Sequence, residues 1–174
     1  MTELIHSLNS KNLASLMQGA GYRVEPITDS LSGVSFLRSA TSGLSFDIRM
    51  GNRMPGEAEA YADAVLVAIF NIVGEMPLAP VNAWNSTRRF GRLQIDASLP
   101  NQNFLVLCMD LAVGGGVTAQ YLRNQIGIWD GLVQQLVPWL RDALARINAA
   151  NVVKVDAAVE PSAAEPAVMA AAGA

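Results

Sequence analysis

Histidine and cysteine each occur once in this chain, as His6 and Cys108. A disulfide needs two thiols, and a zinc site drawn from Cys and His alone needs a closed set of such ligands. Neither can be assembled, so no metal or cofactor site is expected. Any Ser–His or Cys–His nucleophile pair would have to use His6, which lies in a start with no periodic pattern and is expected to be unstructured. No catalytic constellation is therefore expected, and the chain reads as a non-enzyme. Charge is scarce too: charged residues make up 16%, against roughly 25% in an average domain. Twelve Lys and Arg against 15 Asp and Glu give a net charge of −3, which leaves no basic footprint for nucleic acid. Long apolar runs are missing as well. The longest, Ala64 to Phe70, falls far short of the ~20 residues a membrane helix needs. The opening Met-Thr-Glu-Leu-Ile-His-Ser puts Glu3 where a signal peptide carries positive charge. The expectation is a cytoplasmic protein without membrane insertion, where one reduced thiol is ordinary.

What the chain has is apolar mass. Hydrophobic residues reach 51% of 174, enough for one packed domain and too much for a wholly disordered chain. The last stretch differs. From Val155 to Ala174, nine of the twenty residues are Ala, interleaved with Glu160, Pro161, Glu165 and Pro166. It has no aromatic and no sustained apolar stripe to offset chain entropy. The division expected is a folded domain over 1–149 and an Ala/Pro/Glu-rich disordered tail over 150–174.

Periodicity sorts the domain into elements. Ser10 suits the cap of a first helix with Leu13, Leu16 and Met17 as its stripe. Short extended runs follow at Tyr22–Thr28, Val34–Leu37 and Leu44–Met50. In the third, Leu44, Phe46, Ile48 and Met50 alternate with Ser45, Asp47 and Arg49, the pattern of a half-buried strand. Ala64–Phe70 is rich in β-branched residues and reads as a buried strand. Pro77 and Pro80 introduce a short helix over Val81–Arg88. Phe90–Ala97 and Phe104–Val113 read as an antiparallel hairpin, joined through Ser98 to Asn103. Setting Asp96 opposite Phe104 places Arg92 across from Cys108, one step from Asp110 on the same face. Last, Leu122, Ile126, Trp129, Val133, Leu136, Leu140, Leu144 and Ile147 recur at helical spacing behind a Thr118 cap, with Pro138 interrupting the amide ladder. The fold class is α+β: an antiparallel sheet (meander plus hairpin) packed by an N-terminal helix, a short middle helix and a long C-terminal helix.

Three places carry candidate chemistry. Cys108 falls in a strand and reads as a small hydrophobe. Gly114-Gly115-Gly116-Val117-Thr118 joins a strand to a helix start. Such glycines either aim amides at a small anion or simply reverse the chain through positive φ. The motif lacks the Lys of a phosphate loop, since Val117 stands there. The third place is Trp84 to Phe90. Trp84 and Arg88 share one helical face, and Arg88, Arg89 and Arg92 present guanidinium forks suited to carboxylates. One reading makes Trp84, Arg88, Arg89 and Arg92 a docking point for a protein partner. The other has Trp84 and Phe90 plugging helix to sheet, with the arginines answering Asp96 or Asp110. On the long helix, Val137 and Trp139 lie off the main stripe, either as the seam of a homodimer or as a wider buried face.

Placed together, these residues resemble the YbjN family of small bacterial proteins, known as sensory transduction regulators. Asn12-Leu-Ala-Ser-Leu-Met-Gln-Gly-Ala-Gly-Tyr22 is similar to the family's opening helix and its Gly-Tyr exit. Val81-Asn-Ala-Trp-Asn85 with Arg88-Arg-Phe90 resembles its centre, and Met109-Asp-Leu-Ala-Val-Gly-Gly-Gly-Val-Thr118 its Asp-Leu…Gly-Gly-Val-Thr stretch. The third glycine and the Ala-rich tail depart from that pattern. The resemblance covers about Lys11 to Leu136. It implies a fold like that of type III secretion chaperones, often dimeric, and no catalytic residues. The function expected is a regulatory or chaperone-like protein-binding module of unknown partner. The alternative is a sensor of a small anionic metabolite at Gly114, Gly115, Gly116 and Thr118 with nearby arginines.

Overall fold

The computed structural model describes residues 3–72, 76–96, 98 and 103–158, with side chains described at all of these except 103 and 150–158. Its elements are β1 (Leu4–Ile5), α1 (Ser10–Gly19), β2 (Val24–Thr28), β3 (Ser35–Thr41), β4 (Leu44–Met50) and β5 (Asp63–Ile72). They continue with α2 (Leu78–Thr87), β6 (Arg92–Asp96), β7 (Asn103–Ala112), β8 (Val117–Thr118) and α3 (Ala119–Ala158). Six strands form one antiparallel sheet in the order β2-β3-β4-β5-β7-β6. The α+β class and the three helices are as the sequence pattern predicts.

One face of the sheet is packed by helices. Leu37, Phe46, Ile48, Leu66, Leu107 and Met109 from the strands share a single apolar cluster with Leu13 and Met17 of α1, Val81 and Trp84 of α2, and Leu122, Ile126, Trp129 and Leu136 of α3. Trp129, wholly buried, meets the Phe46 ring edge-on at 5.4 Å between centroids, a geometry that the ring quadrupoles favour. The β3–β4 hairpin closes through Ser42 (φ 51°) and Gly43 (φ 77°). Left-handed backbone at both positions matches the twist of the flanking strands.

Several local expectations are corrected. The start of the chain is not unstructured: Leu4 and Ile5 pair with Thr118 and Val117, and Leu8 exchanges backbone hydrogen bonds with Tyr61. The cap of α1 is Asn9, not Ser10. Asn9 Oδ1 accepts from the Asn12 amide at 2.8 Å while Asn12 Oδ1 accepts from the Asn9 amide at 2.9 Å, a reciprocal box that satisfies two otherwise free donors. Asp47 lies on the face turned away from the helices, yet it is only 7% exposed. Its cross-strand neighbour Arg38 binds it through Nε at 2.7 Å and Nη2 at 3.1 Å, and Arg49 lies 3.7 Å away. These two guanidinium groups cover it. The hairpin register is as predicted, with Asp96 opposite Phe104 and Arg92 opposite Cys108, although β6 starts at Arg92 rather than Phe90. Of the connection expected over 98–103, 99–102 lie outside the described residues. Helix α3 runs through Pro138 and has its backbone described to Ala158. The rest of the expected tail, 159–174, lies outside the described residues.

Candidate interaction site

The site grows out of the end of α2. Pro77 stands at the helix start in extended backbone, and Pro80 falls in the first turn, where the missing amide costs nothing. The helix turns Trp84 inward, 1% exposed, with its ring 5.1 Å from that of Trp139. Trp84 is thus a core anchor and not a contact residue. Trp139, half-buried against it, widens the buried face of α3.

Asn85, one step on, does something the sequence did not signal. Its Nδ2 donates to the Leu93 carbonyl at 2.8 Å and its Oδ1 accepts from the Leu93 amide at 2.9 Å. β6 is an edge strand, and this single carboxamide satisfies both backbone groups that Leu93 would otherwise offer to a further strand. It also fixes α2 against β6.

Helix α2 then stops. Arg88 is extended (φ −120°, ψ 145°) and its amide donates to the Trp84 carbonyl. Its guanidinium lies 5.0 Å from the Trp84 ring centroid, and its buried Nε has no hydrogen-bond partner. Next, the Gly91 amide donates to the Arg89 carbonyl at 2.9 Å, across Phe90 at φ 73°. This is the positive-φ form of the γ-turn, rare and strained. A bulky side chain in the left-handed region costs roughly 1–2 kcal/mol. Gly91 helps to fix the turn: a Cβ there would stand 2.9 Å from Leu132 Cδ1 and 3.3 Å from Leu107 Cδ1, so α3 presses directly on its backbone.

The result is a corner that shows an aromatic ring to solvent. Phe90 is 57% exposed, with the Arg89 guanidinium 5.3 Å from its ring centroid. Beside it, Arg92 grips Asp110 through Nη1 at 2.7 Å and Nη2 at 3.4 Å. That hydrogen bond pushes the Arg92 pKa further up. Both side chains are exposed, and such a surface pair is worth about 0–1 kcal/mol. Cys108 is buried behind it, its Sγ 3.6 Å from the Arg92 carbonyl. Of the four residues picked from the sequence, then, Arg89 and Arg92 reach solvent, Arg88 is partly covered and Trp84 is enclosed. Phe90 belongs with the exposed set. The one local hint was a glycine directly after it.

The glycine turn is a chain reversal. Gly115 (φ 81°) and Gly116 (φ 90°) take left-handed backbone, and a Cβ on Gly116 would come within 2.6 Å of His6 Cε1. Thr118 Oγ1 accepts from the Tyr121 amide at 3.1 Å, so the cap itself uses a donor that an anion would need. Among the described residues, no group of three or more His, Cys, Asp or Glu side chains is placed to hold a metal, and no helix is long and apolar enough to cross a membrane.

Comparison with known proteins agrees with this architecture. The model of the YbjN family, described as "putative bacterial sensory transduction regulator", matches residues 9–142. No curated protein matches the chain. Among solved structures, the chain is similar to the crystal structure of YbjN, "a putative transcription regulator" from E. coli, at 16% identity and a TM-score of 0.53. The match covers 86% of this chain and 97% of that one. It extends the likeness to the fold.

Proposed function

The chain belongs to the YbjN family, and we propose that it is a non-catalytic regulatory or chaperone-like module that binds a protein partner through the Arg89–Phe90 corner and Arg92. The observation that carries this reading is Phe90. A buried phenylalanine in a strained turn would recover the strain through packing, but this ring is mostly in water. Strain held without such packing gain is what a binding residue looks like in the unbound state. An exposed aromatic flanked by arginines is also the composition of an interface anchor. The partner it fits offers an apolar pocket for the ring and carboxylates for Arg89 and Arg92.

The test is co-purification. The tagged chain, expressed at native level in its own host, should bring down one protein at near-stoichiometric amount. The double variant Arg89→Glu with Arg92→Glu should lose it while unfolding within about 1 kcal/mol of the parent, the most that the exposed Arg92–Asp110 pair contributes. A large loss of stability in that variant would make the arginines structural and overturn the assignment.

A further inference from the structure

On the sheet face away from the helices, Asp47 is both charged and enclosed. It lies between Arg38 on β3 and Val67 on β5 in one cross-strand row. Arg38 holds it side-on: Nε donates to Oδ1 at 2.7 Å and Nη2 to Oδ2 at 3.1 Å. A guanidinium has a second fork, end-on, between Nη1 and Nη2. Among the described residues no acceptor meets Nη1 of Arg38, whereas Arg92 uses its end-on fork on Asp110. Arg49 Nη2 stands 3.7 Å from the same Asp47 carboxylate, and both guanidinium groups lie over the Phe36 ring, at 5.3 and 5.7 Å. Two positive charges therefore share one negative charge.

Beside this group the sheet carries a depression of about 180 Å³, lined by Arg38, Ser45, Asp47, Val67 and Ile69 among others. Its two ends differ. Arg38 and the exposed Ser45 stand on β3 and β4, while on β5 Val67 is half-buried and Ile69 is 48% exposed. Strands about 4.8 Å apart put roughly 10 Å between the cationic end on β3 and the apolar end on β5. Pockets for drug-sized molecules run to about 300–1,000 Å³, so the occupant here is smaller. We propose that this depression binds a small monocarboxylate with an apolar body, of the size of hexanoate. Its carboxylate takes the end-on fork of Arg38, and its hydrocarbon lies on Val67 and Ile69.

Charge decides the ligand class. One excess positive charge matches a single carboxylate, whereas a phosphate ester carries about −1.5 to −2 and would turn its surplus toward Asp47. A planar carboxylate also meets the fork with two parallel N–H···O bonds. Asp47 already holds Arg38 in place, so little side-chain freedom remains to be lost on binding. The depression is open to water, and the affinity expected is modest, with Kd of about 1 mM. None of its residues belongs to the Arg89–Phe90 corner, so its test is independent of the proposed function.

Titration of the nitrogen-15-labelled full chain with sodium hexanoate, followed by NMR, tests the site. The Arg38 Nε–H signal and the amide signals of Ser45, Val67 and Ile69 should move together and saturate with one Kd. Hexanamide, which keeps the body without the charge, and inorganic phosphate should each bind at least about tenfold more weakly. Ile69→Glu should weaken hexanoate by at least about tenfold and leave distant signals in place. Arg38→Lys keeps the charge but loses the fork, and should weaken it similarly. No saturable change up to about 20 mM hexanoate overturns the proposal. So does equal binding of hexanamide or phosphate, or full affinity in the Ile69→Glu variant. A capped glutamyl peptide that binds as tightly as hexanoate would assign the fork to a protein side chain and overturn it as well.

Discussion

Replacing Asn85 with Ala removes one side chain and breaks two hydrogen bonds at once. Leu93 is 2% exposed, so water does not freely replace the lost partners of its amide and carbonyl. A net contribution near 1 kcal/mol for each bond gives about 2 kcal/mol, with an upper end near 3 if both groups stay dry. For a chain of this length that is a fall in Tm of roughly 4–8 °C. Urea unfolding followed by tryptophan fluorescence would measure it, with an unchanged m-value showing that the unfolded state is not the cause. Ser86→Ala, which removes one exposed helix-surface contact, is the control and should stay within about 0.5 kcal/mol. Asn85→Asp is the sharper variant. Its carboxylate still accepts from the Leu93 amide but faces the Leu93 carbonyl without a proton to offer, so it should lose at least as much as Asn85→Ala. If Asn85→Ala unfolds within about 0.5 kcal/mol of the parent, the clamp between α2 and β6 is not a stabilising contact and the reasoning fails.

Three further outcomes follow from the same geometry. Phe90→Gly relieves left-handed strain at a cost in unfolded-chain entropy, so stability should hold or rise by up to about 1 kcal/mol while partner capture is lost; a clear destabilisation would place Phe90 in the fold instead. The Asp29 carboxylate accepts from the Ser32 amide, the Ser32 hydroxyl and the Leu31 amide, which together hold its pKa below the ordinary value. It therefore supports its turn above the unfolded-state pKa and ceases to as pH falls through the lower folded value; a carboxyl NMR titration giving an ordinary midpoint would refute this. A thermal-shift screen of nucleotides and phosphorylated metabolites should give no stabilisation. A ligand at about 100 times its Kd would add about 2.7 kcal/mol, and such a shift, lost in a Gly115→Ala variant, would return the anion-sensor reading of the glycine turn.

The legible parts of this chain are those set by spacing within one element. Alternation in β4 and the apolar stripe of α3 follow from periods of 2 and 3.6, and the hairpin of β6 and β7 keeps the register that sets Asp96 opposite Phe104. Contacts between distant residues were not legible. Phe90 takes positive φ and is exposed next to Gly91, whose backbone packs against Leu132 from far along in α3. Trp84 is enclosed because Trp139 meets it. Asp47 alternates with apolar neighbours as a solvent-facing residue would, yet two arginines on neighbouring strand positions cover it. The pairing of β1 with β8 joins two stretches too short for any local pattern. Within the candidate site, the cluster of arginines could be read from composition, whereas which of them reaches solvent depended on those packing partners.

The central claim is that Phe90 meets a protein partner. A photo-crosslinking phenylalanine analogue in place of Phe90, activated in the native host, tests it at that atom. The control carries the same analogue in place of Leu31, which is 96% exposed at the tip of the β2–β3 turn. The account predicts one discrete crosslinked protein from position 90 that is absent from position 31. Indistinguishable patterns from the two positions would contradict it.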